Sequence, residues 1–187
     1  MGQRFFKLYD DVHAQRRWHL STPVDGQGQE VMDWDFTSGA PVDVKGRLRV
    51  PVEQEGRALD FSEAGTMIPV VHVRVASLFS ELAPQDVQLI PVDIEGHPEQ
   101  YLLLVAKRLI RCVDEKASRV RFWLPEDGLP DMVGQYRDIR NLRIDKSKVG
   151  EARVFRPEGW EVALIISEGI KAALERMGAT GTKFEEV

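Results

Sequence analysis

The clearest hydrophobic pattern closes the chain. Val162-Ala163-Leu164-Ile165-Ile166 is a continuous apolar run, followed by Ser167 and then by Ile170, Ala173, Leu174 and Met177. The i, i+3, i+4, i+7 spacing predicts a helix from Glu168 to Met177 with one apolar stripe. Ser167 suits the N-cap, because a serine hydroxyl can accept from a free first-turn N–H. Gly178 suits the position after the helix, where a left-handed backbone is common. With a short tail at Phe184 and Val187, the stretch from Trp160 to Val187 reads as strand, helix, strand. The same order recurs earlier. Ile68 to Val75 is an apolar strand, Ser77 can cap a short helix carrying Leu78, Phe79 and Leu82, Pro84 follows that helix, and Val87 to Ile94 is a second strand.

Elsewhere the pattern shortens toward a period of two. Arg4 to Tyr9 reads as a first strand, and Asp10 to Arg17 as a charged loop or turn. Leu48, Val50 and Val52 alternate with Arg47, Arg49 and Pro51, a half-buried strand that Pro51 pushes toward a sheet edge. Glu53 to Gly65 reads as a polar connection. Tyr101 to Ile110 is nearly all apolar and reads as a central strand, with helix as its rival. Ser118 to Leu124 alternates as a strand with one wet face. Pro125 to Gly134 is loop, and Ile139 to Ile144 and Ala152 to Arg156 are further strands. Roughly seven to nine strands with a few short helices make an α+β fold, and hairpin-length connections make its sheet mostly antiparallel. Residues 21 to 46, rich in Pro and Gly, are irregular. Within them, Asp33-Trp34-Asp35-Phe36 is either an exposed binding patch or a pair of aromatic anchors, and aromatic bulk favours anchors.

Composition narrows the function more by exclusion. The 187 residues suit one compact domain, with a loop-rich region, 1–66, packed on an α+β core, 67–187. The net charge of −5, with both signs interspersed, argues against a nucleic-acid partner. Cys112 is the only cysteine, which rules out an internal disulfide and a multi-cysteine zinc site. It reads as a small buried hydrophobe. No apolar run approaches the ~18 residues of a membrane span. Met1-Gly2 lacks Ser or Thr at position 6 and is a poor myristoylation match. The N-terminus turns charged too early for a secretory signal, so the expected location is cytoplasmic.

Chemistry is sparse. The sequence holds no phosphate-binding loop, dinucleotide fingerprint, His-Glu-x-x-His or nucleophile elbow. His13 and His19 lie near Asp10 and Asp11, but at no metal-ligand spacing. His72 sits in an apolar strand. Asp114 and Ser118 read as a local turn device, bonding nearby backbone. No metal and no cofactor is expected.

Several stretches resemble a bacterial immunity-protein family of polymorphic toxin systems, first described as a domain of unknown function and common in myxobacteria. They are the Ile68 to Val92 unit, Cys112-Val113-Asp114-Glu115-Lys116-Ala117-Ser118, Val154-Phe155-Arg156 with Ile165-Ile166-Ser167-Glu168, and the ending Leu174 to Phe184. The resemblance spans about 67 to 187. It implies a non-enzymatic protein that binds and neutralises a cognate toxin encoded beside it, and it names no contact residues. Loop position and charge point instead to Asp33, Trp34 and Asp35, and to Glu126, Asp127 and Asp131. Two alternatives stand beside this reading. One is a regulatory or scaffold module for a host protein. The other is a hydrolase that brings His13 or His72 to Asp114.

Overall fold

The structure is a computed structural model describing residues 2–187, so Met1 of the myristoylation reading lies outside it. Its organising strand is β8 (His97–Ala106). Leu102, Leu104 and Ala106 face one core and Leu103 and Val105 another. A strand buried on both sides carries a continuous apolar run, which settles Tyr101 to Ala106 as strand; the expected strand does not run on to Ile110, since Leu109–Ile110 pair in the other sheet. β7 (Val87–Ile94) and β6 (Ile68–His72) flank it, both antiparallel.

Outside these lie β5 (Phe61–Ala64), β2 (His19–Leu20) and β4 (Val52–Gln54) on one side and β3 (Leu48–Val50) on the other. The sheet order is β3-β7-β8-β6-β5-β2-β4. β3 and β4 are thus opposite edges, yet only Pro51 separates them in sequence. The sheet must therefore curl until its edges nearly meet. Proline, with no N–H to donate, marks the place where the chain leaves one edge for the other. The hollow of the curl is filled by Trp18, Val50, Ile68, Val70, Leu103 and Val105, and Trp18 Nε1 donates to Ser62 Oγ at 2.8 Å.

The second sheet has the order β14-β1-β13-β12-β9, from β1 (Phe5–Asp10), β9 (Leu109–Ile110), β12 (Val154–Pro157), β13 (Leu164–Ser167) and β14 (Thr182–Glu186). Helix α2 (Val73–Leu82) joins β6 to β7, and α3 (Glu168–Arg176) joins β13 to β14. In each unit a third strand lies between the two joined strands, β8 in one and β1 in the other. The repeated sequence pattern is therefore a pair of split β-α-β units. Their helices pack on each other, and Val75, Phe79, Ile170 and Leu174 enter a core shared by both sheets. A third core lies on the far face of the five-stranded sheet, where Phe5, Phe155 and Ile165 meet Cys112, Leu142 and Ile144. Burial pushes the Cys112 thiol up to about 11, as expected of a packing residue.

Pairing is mostly antiparallel, with β2–β5, β3–β7 and β9–β12 parallel. Several local expectations are corrected. The connection from Glu53 to Gly65 contains β5, whose Phe61 and Ala64 are fully buried. Helix α2 starts before Ser77. Its cap is His72, whose Nδ1 accepts from Arg74 N, while Ser77 lies inside the helix and donates to the Val73 carbonyl. Ser167 holds the N-cap position of α3, but its buried hydroxyl makes no capping bond. Of Ile139 to Ile144, only the start belongs to a strand, β11 (Tyr136–Arg140).

Besides strand pairing, a polar node ties residues before 67 to the rest. Arg74 bonds both oxygens of Asp60 (2.8 and 3.0 Å) and reaches the Met177 and Gly178 carbonyls at the end of α3. Thr180 N and Oγ1 both donate to Asp60 Oδ2. Gly181 (φ +86°) then passes so close to the Phe61 carbonyl that no side chain fits.

Candidate partner-binding surface

The two regions singled out by loop position and charge take different forms. Asp33, Trp34 and Asp35 lie on a one-turn helix, α1 (Asp33–Thr37). A helix this short does not hold itself together, and α1 is fastened by its neighbours. Phe36 inserts into the hollow of the curled sheet and Thr37 is buried beside it. Asp33 Oδ2 accepts from Thr66 N at 3.0 Å and from Thr66 Oγ1. Gly65 makes this close approach possible. Its φ is +59°, and a Cβ there would stand 2.7 Å from Thr22 Oγ1 and 3.1 Å from Asp33 Oδ2.

The anchor reading therefore holds for Phe36 and fails for Trp34, which is 65% exposed. Successive residues on a helix turn by roughly 100°, so two aromatics two positions apart cannot both face inward. Asp33 is committed to Thr66, while Asp35 stays exposed. Beside Trp34 lie Met32 and Val162, 52% and 42% exposed. With Val31, Met67 and Thr22 they form an open groove of about 490 Å³.

The groove's far wall is the turn after β12, and a buried cation holds it. Arg156 Nη1 donates to the Glu161 carbonyl at 2.9 Å and the Val162 carbonyl at 3.3 Å. Burial pulls Arg156 down to about 10, so it stays charged at neutral pH. Its Nε and Nη2 have no hydrogen-bond partner among the described residues. Close by, Asp10 and Arg17 form a buried pair at 2.5 Å. Desolvation, with Asp10 nearby, pushes Glu63 up to about 7, and Arg156, Lys7 and Arg17 offset it only partly. The sequence reading missed this cluster. One signal was available: Arg156 lies two residues after Val154 on a strand, so it shares that residue's inward face.

Glu126, Asp127 and Asp131 occupy the tip of a separate two-stranded ribbon, β10 (Arg119–Phe122) with β11. Short 3-10 turns at Pro125–Asp127 and Pro130–Met132 shape it. Asp127 is structural. Its carboxylate accepts from Leu124 N at 2.9 Å and from Arg137, and these bonds hold it below the usual carboxylate range. Arg137 in turn stacks 4.5 Å from the Trp123 ring centre. Glu126 and Asp131 are exposed, as are the apolar Leu124, Leu129 and Val133. The expected single wet face of β10 holds at its base, where Val120 packs on the third core, and fails at Phe122, which is exposed toward the tip.

The turn after β12 lies between the two regions. Glu161 and Val162 border the α1 groove, and Glu158 and Gly159 border a hollow beneath the ribbon, where Tyr136 bonds Glu115. The residues suggested for catalysis are not brought together. His72 caps α2 against Tyr101, Asp114 receives the Lys116 and Ala117 amides on the outer layer, and His13 N bonds Asp11. Among the described residues no group of three or more His, Cys, Asp or Glu is placed to hold a metal. No helix among them is long and apolar enough to cross a membrane.

Compared with known families, residues 10–187 match the immunity protein family Imm11. The chain belongs to the Imm11 immunity protein family. The match reaches well beyond the stretch from 67 onward that carried the resemblance, and takes in α1, β2 and the strands of the curled sheet that precede β6. No curated protein matches the chain.

Proposed function

We propose that this Imm11 member is a cytoplasmic immunity protein that neutralises a cognate toxin, encoded beside it, by stoichiometric binding and without catalysis. The supporting observation is the exposed groove on α1, anchored by Phe36 and Asp33. Large exposed apolar residues held in place by buried anchors are what a binding surface needs and what a solvated surface lacks. The contact residues would be Trp34 and Asp35, with Glu126 and Asp131 on the ribbon tip. Asp33 and Asp127 would support them from within. An interface of ordinary size, on the order of 1,200–2,000 Å², would need more than α1 alone. The turn after β12 joins the two regions into one surface. Its acidic side chains would speed encounter with a basic toxin surface.

The test is co-expression with the product of the adjacent toxin gene, followed by pulldown and a growth assay. The expected result is a one-to-one complex and restored growth. Unrescued growth with no complex would refute the reading.

A further inference from the structure

We propose that the α1 groove receives an apolar side chain from a lysine- or arginine-bearing segment of the toxin. This deepens the toxin-binding reading above and rests on it.

The groove has an apolar floor and a rim of one sign. Met32, Trp34, Met67 and Val162 supply the floor, and Glu30, Asp33 and Glu161 are the ionisable residues lining it. Asp35 adds a fourth carboxylate on the same helix. Among the described residues no lysine, arginine or histidine lines the groove. Arg156 is buried behind the Glu161 and Val162 carbonyls, and its single charge offsets only one of the four. Asp33 accepts from Thr66 and Glu161 from Gly159 N, and each carboxylate still borders the groove.

A purely apolar partner segment would bury these carboxylates without compensation, which is costly. An acidic segment would be repelled. A basic residue flanking an apolar one satisfies both parts of the surface. The exposed Trp34 ring adds a face on which a cation is held by the ring's quadrupole. Met32 and Met67 let the floor adapt to the shape of the inserted side chain. A second copy of the chain is a poor occupant on charge, since each copy carries −5.

The experiment measures affinity for the purified toxin domain of the adjacent gene, at low and at physiological salt. Wild type is compared with Trp34→Ala and with the double variant Glu30→Lys/Asp35→Lys. These side chains are exposed, so both variants should melt with wild type, and a melting curve checks this. Trp34→Ala is expected to weaken binding about tenfold or more. The charge-reversed protein is expected to associate more slowly and to lose most of the salt dependence. A toxin complex unchanged in both variants would overturn the groove assignment while leaving toxin binding intact. No complex with wild type would overturn both. Sedimentation of the protein alone closes the remaining case: a dimer that Trp34→Ala dissociates would make a second copy the occupant and overturn the proposal.

Discussion

Helix α1 and the ribbon tip display similar residues, acidic side chains beside exposed apolar ones, on different foundations. α1 is one turn long, and its position comes from contacts distant in sequence: Phe36 in the core of the curled sheet and Thr66 on Asp33, while Arg156 holds only the groove's opposite wall. The ribbon tip is held by its own neighbours, with Asp127 on Leu124 and Arg137, and Arg137 on Trp123. The difference sets how each region responds to perturbation. α1 keeps its shape as long as the domain is folded. The tip can loosen alone, because local bonds at a surface open at little cost to the rest.

Four perturbations test this contrast. The most severe is Leu174→Asp, which buries a charge in the core shared by both sheets. It is expected to cost more than about 4 kcal/mol and abolish the cooperative melt, losing both regions together. A folded variant in near-ultraviolet circular dichroism would contradict the role given to the split β-α-β units. Next comes Phe36→Ala, expected to lower stability in urea by about 3–4 kcal/mol. The matching ribbon change, Leu129→Ala, should stay within about 0.5 kcal/mol. Equal losses would erase the distinction.

The third perturbation is pH, and the buried cluster around Arg156 should respond with opposite sign to the tip. Glu63, near Arg156, has its folded-state pKa raised to about 7 from the ordinary 4.5. The folded protein keeps a proton that the unfolded chain has released. Its contribution is therefore whole below about pH 4.5, declines as pH rises, and levels off above about 7. The drop should be about 2 kcal/mol after allowance for partial exposure. Glu63→Gln should flatten that slope in denaturant titrations at a series of pH values. Asp127 is depressed instead, first by the Leu124 amide and then by Arg137. Its contribution is present above the ordinary carboxylate range and is lost as pH falls through its folded-state value. The fourth and smallest effect follows. Asp127→Asn should change Trp123 fluorescence and speed amide exchange at 124–134 while leaving the global melt in place. A shift of the global melt would show that the tip is coupled to the core.

The parts legible in the sequence are those where periodicity and burial agree. The continuous run at Tyr101 to Ala106 marks the doubly covered β8, and the i, i+3, i+4 spacing of Ile170 and Leu174 marks the core stripe of α3. β2, β4 and β5 were not legible, because strands of two to four residues are fixed by distant partners and not by their own pattern. Pro51 was read as an edge marker, and it lies between two opposite edges of one sheet. At the candidate surface, charge and turn residues found both regions but could not tell supporting carboxylates from free ones. Asp33 and Asp127 are distinguished from Asp35, Glu126 and Asp131 only by backbone amides and side chains that folding brings to them. The exposure of Trp34 follows once Asp33 to Thr37 is seen to be helical. Residues with turn chemistry on both sides hid that helix.

The most direct test of the central claim, that the preformed α1 groove leads toxin binding, compares the dissociation constants of Trp34→Ala and Leu129→Ala for the adjacent gene's toxin, by isothermal titration calorimetry. Trp34→Ala is expected to weaken the complex about tenfold or more and Leu129→Ala to change it by less than about threefold. The reverse order, with Leu129 dominant and Trp34 silent, would contradict it.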